Sequence, residues 1–257
     1  VSVALTDAGV VITGAARGIG EALARRFAAD GARLVLADMD TGVTEVAESL
    51  GATAVVGDVT APEDLVGQAR SVLGEIDLFC ANAGVAPMGG EDAPENVWAN
   101  TWNVNVMAHV RAANALLPKW LERGRGHFLA TVSAAGLLTS LGSAPYSVTK
   151  HAALAFAEWL SATYRHRGIS VQALCPQGVR TRMYEQTGAG GKLLMGDSLI
   201  EPAQVADLVA AKIADDEFLI LPHPEVAHYY VHRAAENDRW LAGMNKLQRK
   251  VEELDGR

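Results

Sequence analysis

Cysteine is scarce in this chain: the 257 residues include two, Cys80 and Cys175. Each ends an apolar run, so both read as small core residues, and a disulfide-stapled secreted scaffold is excluded. An uninterrupted apolar stretch of about 20 residues, the length a membrane helix needs, is also missing, so no membrane partner is expected. No secretory leader is readable at Val1, and with this cysteine usage the expected location is cytoplasmic. Positive charge is in deficit, with Lys+Arg 22 against Asp+Glu 30 and a net charge of −8. Such a surface repels phosphate backbones and argues against a nucleic-acid partner. Lys119, Arg123 and Arg125 lie near one another but are broken up by glycine and read as a solvated helix end. No repeat, low-complexity tract or linker divides the chain. Its 49% apolar and 20% charged composition is that of an ordinary globular protein, expected as one domain over 1–257.

What is present is an alternation of short β-branched runs with longer helical stretches. Strands are expected at 9–13, 33–37, 54–56, 76–80, 127–132, 170–174 and 218–221. Helices are expected at 19–30, 41–50, 62–73, 95–123, 146–167 and 202–214, with a polar C-terminal helix over 225–254. A Gly- and Pro-rich loop occupies 83–94. Near-continuous apolar strands alternating with helices predict an α/β fold, a doubly wound parallel sheet of Rossmann type with a C-terminal helical extension. Residues 182–200 contain Gly188, Gly190 and Gly191 and are expected to form a mobile substrate lid.

Thr13-Gly14-Ala15-Ala16-Arg17-Gly18-Ile19-Gly20 follows the first strand and opens the first helix. Glycines there let the backbone turn sharply and approach a pyrophosphate, whose charge is stabilised by free N–H groups at the helix N-terminus. A tight strand–helix turn would use the same residues, and the βαβ setting favours the dinucleotide reading. Asp38 closes the second strand, where a carboxylate can accept from both ribose hydroxyls and repel a 2′-phosphate. Arg17 pulls the other way, since a cation in this turn can pair with that phosphate. Asp38 lies more directly against the 2′ position, so NAD is the expected cofactor. Asp58, after the third strand, either binds the adenine amino group or serves as a turn residue; both readings stay open.

Tyr146 and Lys150 are one helical turn apart and share a face. A free tyrosine has a pKa of about 10, and lowering it by roughly 3 units requires about 4 kcal/mol of preferential phenolate stabilisation. A neighbouring ammonium together with an oxidised nicotinamide in a partly dry cleft would supply that. Ser133 sits at the carboxyl end of the strand just upstream, where α/β sheets place their sites. It reads either as a holder of the substrate oxygen or as a turn cap.

With these residues in place the chain resembles the short-chain dehydrogenase/reductase family, over roughly Val10 to Thr181. The turn TGAARGIG matches the family's TGxxxGxG. Ala81-Asn82-Ala83-Gly84 is similar to its NNAG signature, with alanine in place of the first asparagine. Asn105, Ser133, Tyr146 and Lys150 fall at its four catalytic positions, and Cys175-Pro176-Gln177-Gly178-Val179-Arg180-Thr181 is similar to its Pro-Gly-x-Val-x-Thr segment. The resemblance implies an NAD-dependent oxidoreductase that interconverts a secondary alcohol and a ketone by direct hydride transfer, without metal. Tyr146 would be the general base or acid, and Lys150 would lower its pKa and bind the nicotinamide ribose. Ser133 would hold the substrate oxygen, and Asn105 a water relaying protons to solvent. Cofactor contacts are implied at Thr13, Gly14, Arg17, Gly18, Ile19, Gly20, Asp38, Asp58, Val59, Asn82, Ala83, Gly84, Tyr146, Lys150, Pro176, Val179 and Thr181. Gln177, where the family usually has glycine, either crowds the nicotinamide or is accommodated through Gly178. A non-catalytic NAD-binding sensor or scaffold would share the fold but need not keep the four catalytic side chains together.

Expected substrate walls are Val85, Met88, Ala134, Leu137, Leu138, Val179, Met183, Tyr184 and 193–195, with Ser133 and Tyr146 at the reacting oxygen. Nearly all are apolar, which predicts a hydrophobic alcohol or ketone over a sugar phosphate or carboxylate. His228 and His232 have a metal-ligand spacing, but no partnering motif accompanies them and their segment is remote in sequence, so no metal is expected. Trp98 and Trp102 read as packing residues, and His151 as a packing or surface one. The resemblance also implies a homodimer or homotetramer through the helices at 95–123 and 146–167, with Leu116, Leu117, Trp120, Phe156 and Trp159 suited to the contact. Sedimentation should accordingly give a dimer or larger; a monomeric profile at micromolar concentration would contradict this.

Overall fold

Runs that are apolar at every position form the central strands, because a parallel strand covered on both faces has no solvent side. The computed structural model describes residues 3–187, 195, 198–215 and 217–255. Its strands are β1 (Gly9–Thr13), β2 (Arg33–Asp38), β3 (Thr53–Val56), β4 (Leu78–Ala81), β5 (Gly126–Thr131), β6 (Ile169–Leu174) and β7 (Leu219–Ile220). All pair in parallel in the order β3-β2-β1-β4-β5-β6-β7. Every residue of β1, β4 and β5 is buried. The chain order reverses between β1 and β4, which opens a crevice at their carboxyl ends.

Helices α1 (Gly18–Ala29), α2 (Val43–Leu50), α3 (Pro62–Leu73), α4 (Glu95–Trp102) and α5 (Ala108–Arg123) alternate with the first five strands. They are followed by α6 (Ala134–Leu137), α7 (Ala144–Tyr164), α8 (Arg182–Glu185) and α9 (Pro202–Lys212). The chain ends in α10 (Glu225–Ala235) and α11 (Asn237–Asp255). Leu23 and Phe27 of α1, Val43 of α2 and Val205 of α9 build the core on one face of the sheet. Leu65 of α3, Leu116 of α5 and Leu154 and Leu160 of α7 build it on the other. This is the doubly wound parallel sheet expected from the alternation.

Several expectations need correction. The helix expected over 95–123 is interrupted by a π turn at Asn103–Met107, where the Ala108 N–H reaches the Asn103 carbonyl. The single C-terminal helix expected over 225–254 is a hairpin of two, broken at Glu236, whose φ of −133° and ψ of 58° are not helical. Leu116 and Trp120 are not dimer-face residues. Both are buried, and the Trp120 indole donates to the Ile76 carbonyl at 2.7 Å. A Cβ on Gly126 would lie 2.2 Å from that indole, so glycine makes the space the ring fills. The apolar side chains that do reach solvent on α4 and α7 are Trp102, Val148 and Trp159, so Trp102 is not a packing residue. Of the lid expected over 182–200, α8 is in place, while Gly188, Gly190, Gly191, Leu193 and Leu194 lie outside the described residues.

Cys80 and Cys175 are free and buried, as their apolar settings imply. No helix among the described residues is long and apolar enough to cross a membrane.

Two histidines are enclosed by the packing. His109 on α5 meets the Phe128 ring edge-on at 6.2 Å, and neither ring nitrogen has a partner. His127 on β5 reaches Gln172 Oε1 at 3.0 Å; that oxygen only accepts, so Nε2 carries the hydrogen. Burial lowers His109 to about 3, helped by nearby Lys150, and lowers His127 to about 4 against the Gln172 bond. Both rings therefore stay neutral in the folded protein while the unfolded chain takes up protons below about pH 6.5. Stability is lost as pH falls from there through about 4, at about 1.4 kcal/mol per group per pH unit. The melting temperature should drop by several degrees between pH 7.5 and pH 5, and His109→Phe should flatten that slope. An unchanged slope in the variant would remove His109 from this account.

Candidate active site

The turn between β1 and α1 is shaped by backbone approaching backbone. Gly14 has φ of 65°, and a Cβ there would lie 2.8 Å from Ala83 Cα. A Cβ on Gly20 would lie 2.1 Å from the Gly14 carbonyl oxygen. Thr13 locks the neighbouring segment: its hydroxyl donates to the Cys80 carbonyl at 3.2 Å and accepts from the Asn82 and Ala83 N–H groups at 2.9 and 3.1 Å. Asn82 Nδ2 returns two bonds, to the Thr13 and Gly14 carbonyls at 3.0 and 3.2 Å. The tie between adjacent strands is therefore made by Asn82, and Ala81 is simply a buried strand residue.

Asp38 ends β2 with Oδ2 accepting from the Ala16 N–H and Oδ1 from the Asp40 N–H, both at 3.0 Å. Arg17 is paired with Asp40. The Gly42 N–H and the Arg17 guanidinium together hold Asp40 below the usual carboxylate range. Asp58 takes the Thr60 N–H at 2.8 Å, the turn role left open by the sequence, and also faces the cavity.

The catalytic candidates converge at the carboxyl end of β5. Ser133 caps α6, its Oγ accepting from the Ala135 N–H at 3.1 Å, with a backbone φ of 155° that side-chain-bearing residues rarely adopt. Its hydroxyl lies close enough to the Tyr146 phenol to oppose the effect of burial on that group. Ser133 is thus the turn cap of its second reading, and it stands beside Tyr146. Lys150 Nζ lies 5.6 Å from the Tyr146 ring centroid and donates to the Thr131 carbonyl at 3.0 Å. The electrostatics differ from the expectation of a phenol acidified by its lysine neighbour. Burial pushes the Tyr146 phenol up, opposed by Ser133, and pushes the Lys150 amine down to about 8. Cys175 lies beneath the same group, its thiol driven by burial to about 12.

Asn105, in the π turn, is fully buried. It accepts from the Val85 N–H at 2.9 Å and donates to the Val85 carbonyl at 2.9 Å and to Thr149 Oγ1 at 3.0 Å. Both amide N–H donors are used, so its side chain fastens the loop after β4 to α7 and has none left to give to a water.

One cavity of about 840 Å³ runs from Asp38 and Asp58 past the glycine turn to Ser133, Tyr146 and Lys150. Of the residues expected as cofactor contacts, Arg17, Gly18, Ile19, Val59, Asn82, Ala83, Gly84, Pro176, Val179 and Thr181 also line it. Thr13, Gly20 and Asn105 support this surface from behind and do not line it. The fit to a dinucleotide is physical: glycines where a methyl would strike backbone, N–H groups at the start of α1, and a carboxylate at the end of β2 bonded to the same turn.

A family profile described as short chain dehydrogenase matches residues 8–191. This chain belongs to the short-chain dehydrogenase family. A 1-deoxy-11-beta-hydroxypentalenate dehydrogenase of Streptomyces exfoliatus is 38% identical over 232 residues, 84% of this chain and 82% of the relative. Oxidoreductase UcpA of Escherichia coli (strain K12) is 31% identical over 236 residues, covering 83% and 89%. Among solved structures, a short-chain dehydrogenase/reductase from Burkholderia phymatum in complex with NAD has a TM-score of 0.84 at 28% identity, covering 92% of this chain and 96% of that one.

In this member of the short-chain dehydrogenase family, the expected substrate walls Val85, Met88, Ala134, Leu138, Val179, Met183, Tyr184 and Met195 line the same cavity. Leu137 does not: it is buried in the core, and Leu138 takes the wall position. Gln177 lines the cavity, its backbone N–H donating to His223 Nδ1 at 3.1 Å. The sequence reading missed the C-terminal hairpin, which contributes Tyr229, His232, Arg239, Trp240, Met244 and Leu247. It is fastened by Arg233, which donates to the Leu137 carbonyl and to His151 Nε2. His151 in turn donates from Nδ1 to the Ser147 carbonyl at 2.8 Å, so it is a strut between helices. Distance along the chain set His232 aside, although the histidine spacing had already drawn attention to that helix.

Gly136 is the closest approach between α6 and α7: a Cβ there would meet Val132 Cγ1 at 2.6 Å and the Lys150 carbonyl oxygen at 2.7 Å. Gly136→Ala should cost about 1–3 kcal/mol of stability through overpacking. By shifting Lys150 it should also lower turnover roughly tenfold or more. Thermal melts beside steady-state rates test this; a variant equal to its parent in both would contradict the contact.

Proposed function

We propose that this chain is an NAD-dependent dehydrogenase that interconverts an apolar secondary alcohol and its ketone. The supporting observation is the single cavity that holds a ribose-binding carboxylate at one end and the Ser133–Tyr146–Lys150 cluster at the other. Asp38 would accept from the adenosine ribose hydroxyls. NAD is favoured over NADP because the carboxylates Asp38 and Asp40 would repel a 2′-phosphate, and Arg17 of the glycine turn is already paired with Asp40. The Burkholderia phymatum neighbour's complex with NAD agrees with that assignment.

Bound nicotinamide supplies the hydride acceptor in oxidation and the donor in reduction. Ser133 orients the substrate oxygen toward Tyr146. Tyr146 takes the hydroxyl proton in oxidation and returns it in reduction. Lys150, held by the Thr131 carbonyl near the phenol ring, would bind the nicotinamide ribose with its remaining N–H groups and, when protonated, would offset the phenolate charge. Because burial by itself raises the phenol, Tyr146 works as a base only with further positive charge in the cleft. Asn105 keeps α7 in register with the loop after β4, and with it the Tyr146–Lys150 pair.

A panel of apolar secondary alcohols with NAD and NADP, read by nicotinamide absorbance, tests the assignment. NAD should be preferred by about tenfold or more. Tyr146→Phe should lose roughly 10²–10⁴ in turnover with cofactor binding intact, the range for general acid–base catalysis. A fully active Tyr146→Phe would reject the role given to the phenol, and cofactor binding without turnover of any alcohol would favour a sensor or scaffold.

A further inference from the structure

The break at Glu236 folds α11 back on α10, so that His232 and Arg239 come to one wall of the cavity. Trp240 packs edge-on against the His232 ring at 5.9 Å, and Trp240, Met244 and Leu247 continue that wall as an apolar surface. Two polar groups on it are poorly used. His232 Nε2 is covered and has no hydrogen-bond partner. Arg239 spends one N–H of its fork on Glu236 at 2.9 Å, a pair exposed on both sides and therefore weak. The carboxylates among the described lining residues, Asp38, Asp40 and Asp58, all follow β2 and β3, across β1 from this wall. This end of the cavity is therefore apolar in its body, with Arg239 and His232 among its lining side chains and Glu236 the carboxylate paired with Arg239.

We propose that the hairpin is the substrate-selecting element, and that His232 and Arg239 hold a carboxylate at the end of the substrate remote from the reacting carbon. The preferred substrate is then a hydrophobic hydroxy acid, which revises the sequence-based preference for an uncharged alcohol. Apolar walls bind the body, the guanidinium fork exchanges its surface partner for the ligand's carboxylate, and His232 donates the second bond. The pentalenate relatives are named for a substrate of that charge type. The inference rests on the dehydrogenase reading of the same site.

The test pairs each free acid with its own methyl ester, using apolar secondary alcohols that carry a carboxylate away from the hydroxyl. With NAD, the acid should exceed its ester in kcat/KM by roughly tenfold or more, mainly through KM, as expected of a lost charge-assisted bond. Arg239→Gln and His232→Phe should each bring the acid-to-ester ratio toward one, and Arg239→Glu should reverse it. Trp240 fluorescence of the NADH complex reads binding independently of turnover, and should show tighter binding of the acids in the parent protein. Equal kcat/KM and equal binding of acid and ester, or a ratio untouched by Arg239→Glu, would overturn the proposal while leaving the dehydrogenase reading intact. Preferential acid binding without any turnover would instead support the anion site and sink the dehydrogenase reading.

Discussion

Everything at the head of the sheet depends on two stretches of backbone lying closer together than side chains allow. Gly20 sits against the Gly14 carbonyl, and Gly14 against Ala83, with no space for a methyl group at either contact. That approach brings the first residues of α1 over the crevice between β1 and β4, where peptide N–H groups can face an anion. Thr13 and Asn82 then fasten the two strand ends through five hydrogen bonds. The cavity has its shape because this joint is rigid.

The other end of the cavity is held by burial, at an electrostatic cost. Enclosing Tyr146 and Lys150 disfavours the charged form of each, the phenolate and the ammonium alike. The surrounding protein compensates with directed contacts: Ser133 at the phenol, the Thr131 carbonyl at the amine, and Asn105 bracing the helix that carries both. Under the proposed function the tetrad would be less four reagents than a reagent, Tyr146, with three groups that decide where it points and which charge it tolerates.

Much of this was legible in the sequence because local rules act over short distances. Continuous apolar runs such as Val10-Val11-Ile12 announce buried parallel strands, and a glycine-rich turn between strand and helix announces the phosphate site. Residues that depend on long-range packing were harder to read. Trp120 looked like a surface aromatic on an amphipathic helix until Gly126, on the next strand, was seen to open a slot for it. Leu137 and Leu138 are adjacent and alike, and only the short helix after Ser133 decides which faces the core. The hairpin escaped because nothing in its composition marks the break at Glu236 or the return of α11 toward the site. Nothing in a lone Arg233 shows that its partners are the Leu137 carbonyl and His151, on two other helices.

That last contact has an evolutionary corollary. Arg233 joins the tail to the scaffold through one carbonyl, which any sequence supplies, and one imidazole, which few do. Exchanging tails between homologues would therefore be a way of grafting new selectivity onto an unchanged reaction, provided position 151 travels with the graft. Lineages that diversify in this region should change the two sites in concert, and a transplanted tail arriving without its histidine would dock loosely however well its own helices fold.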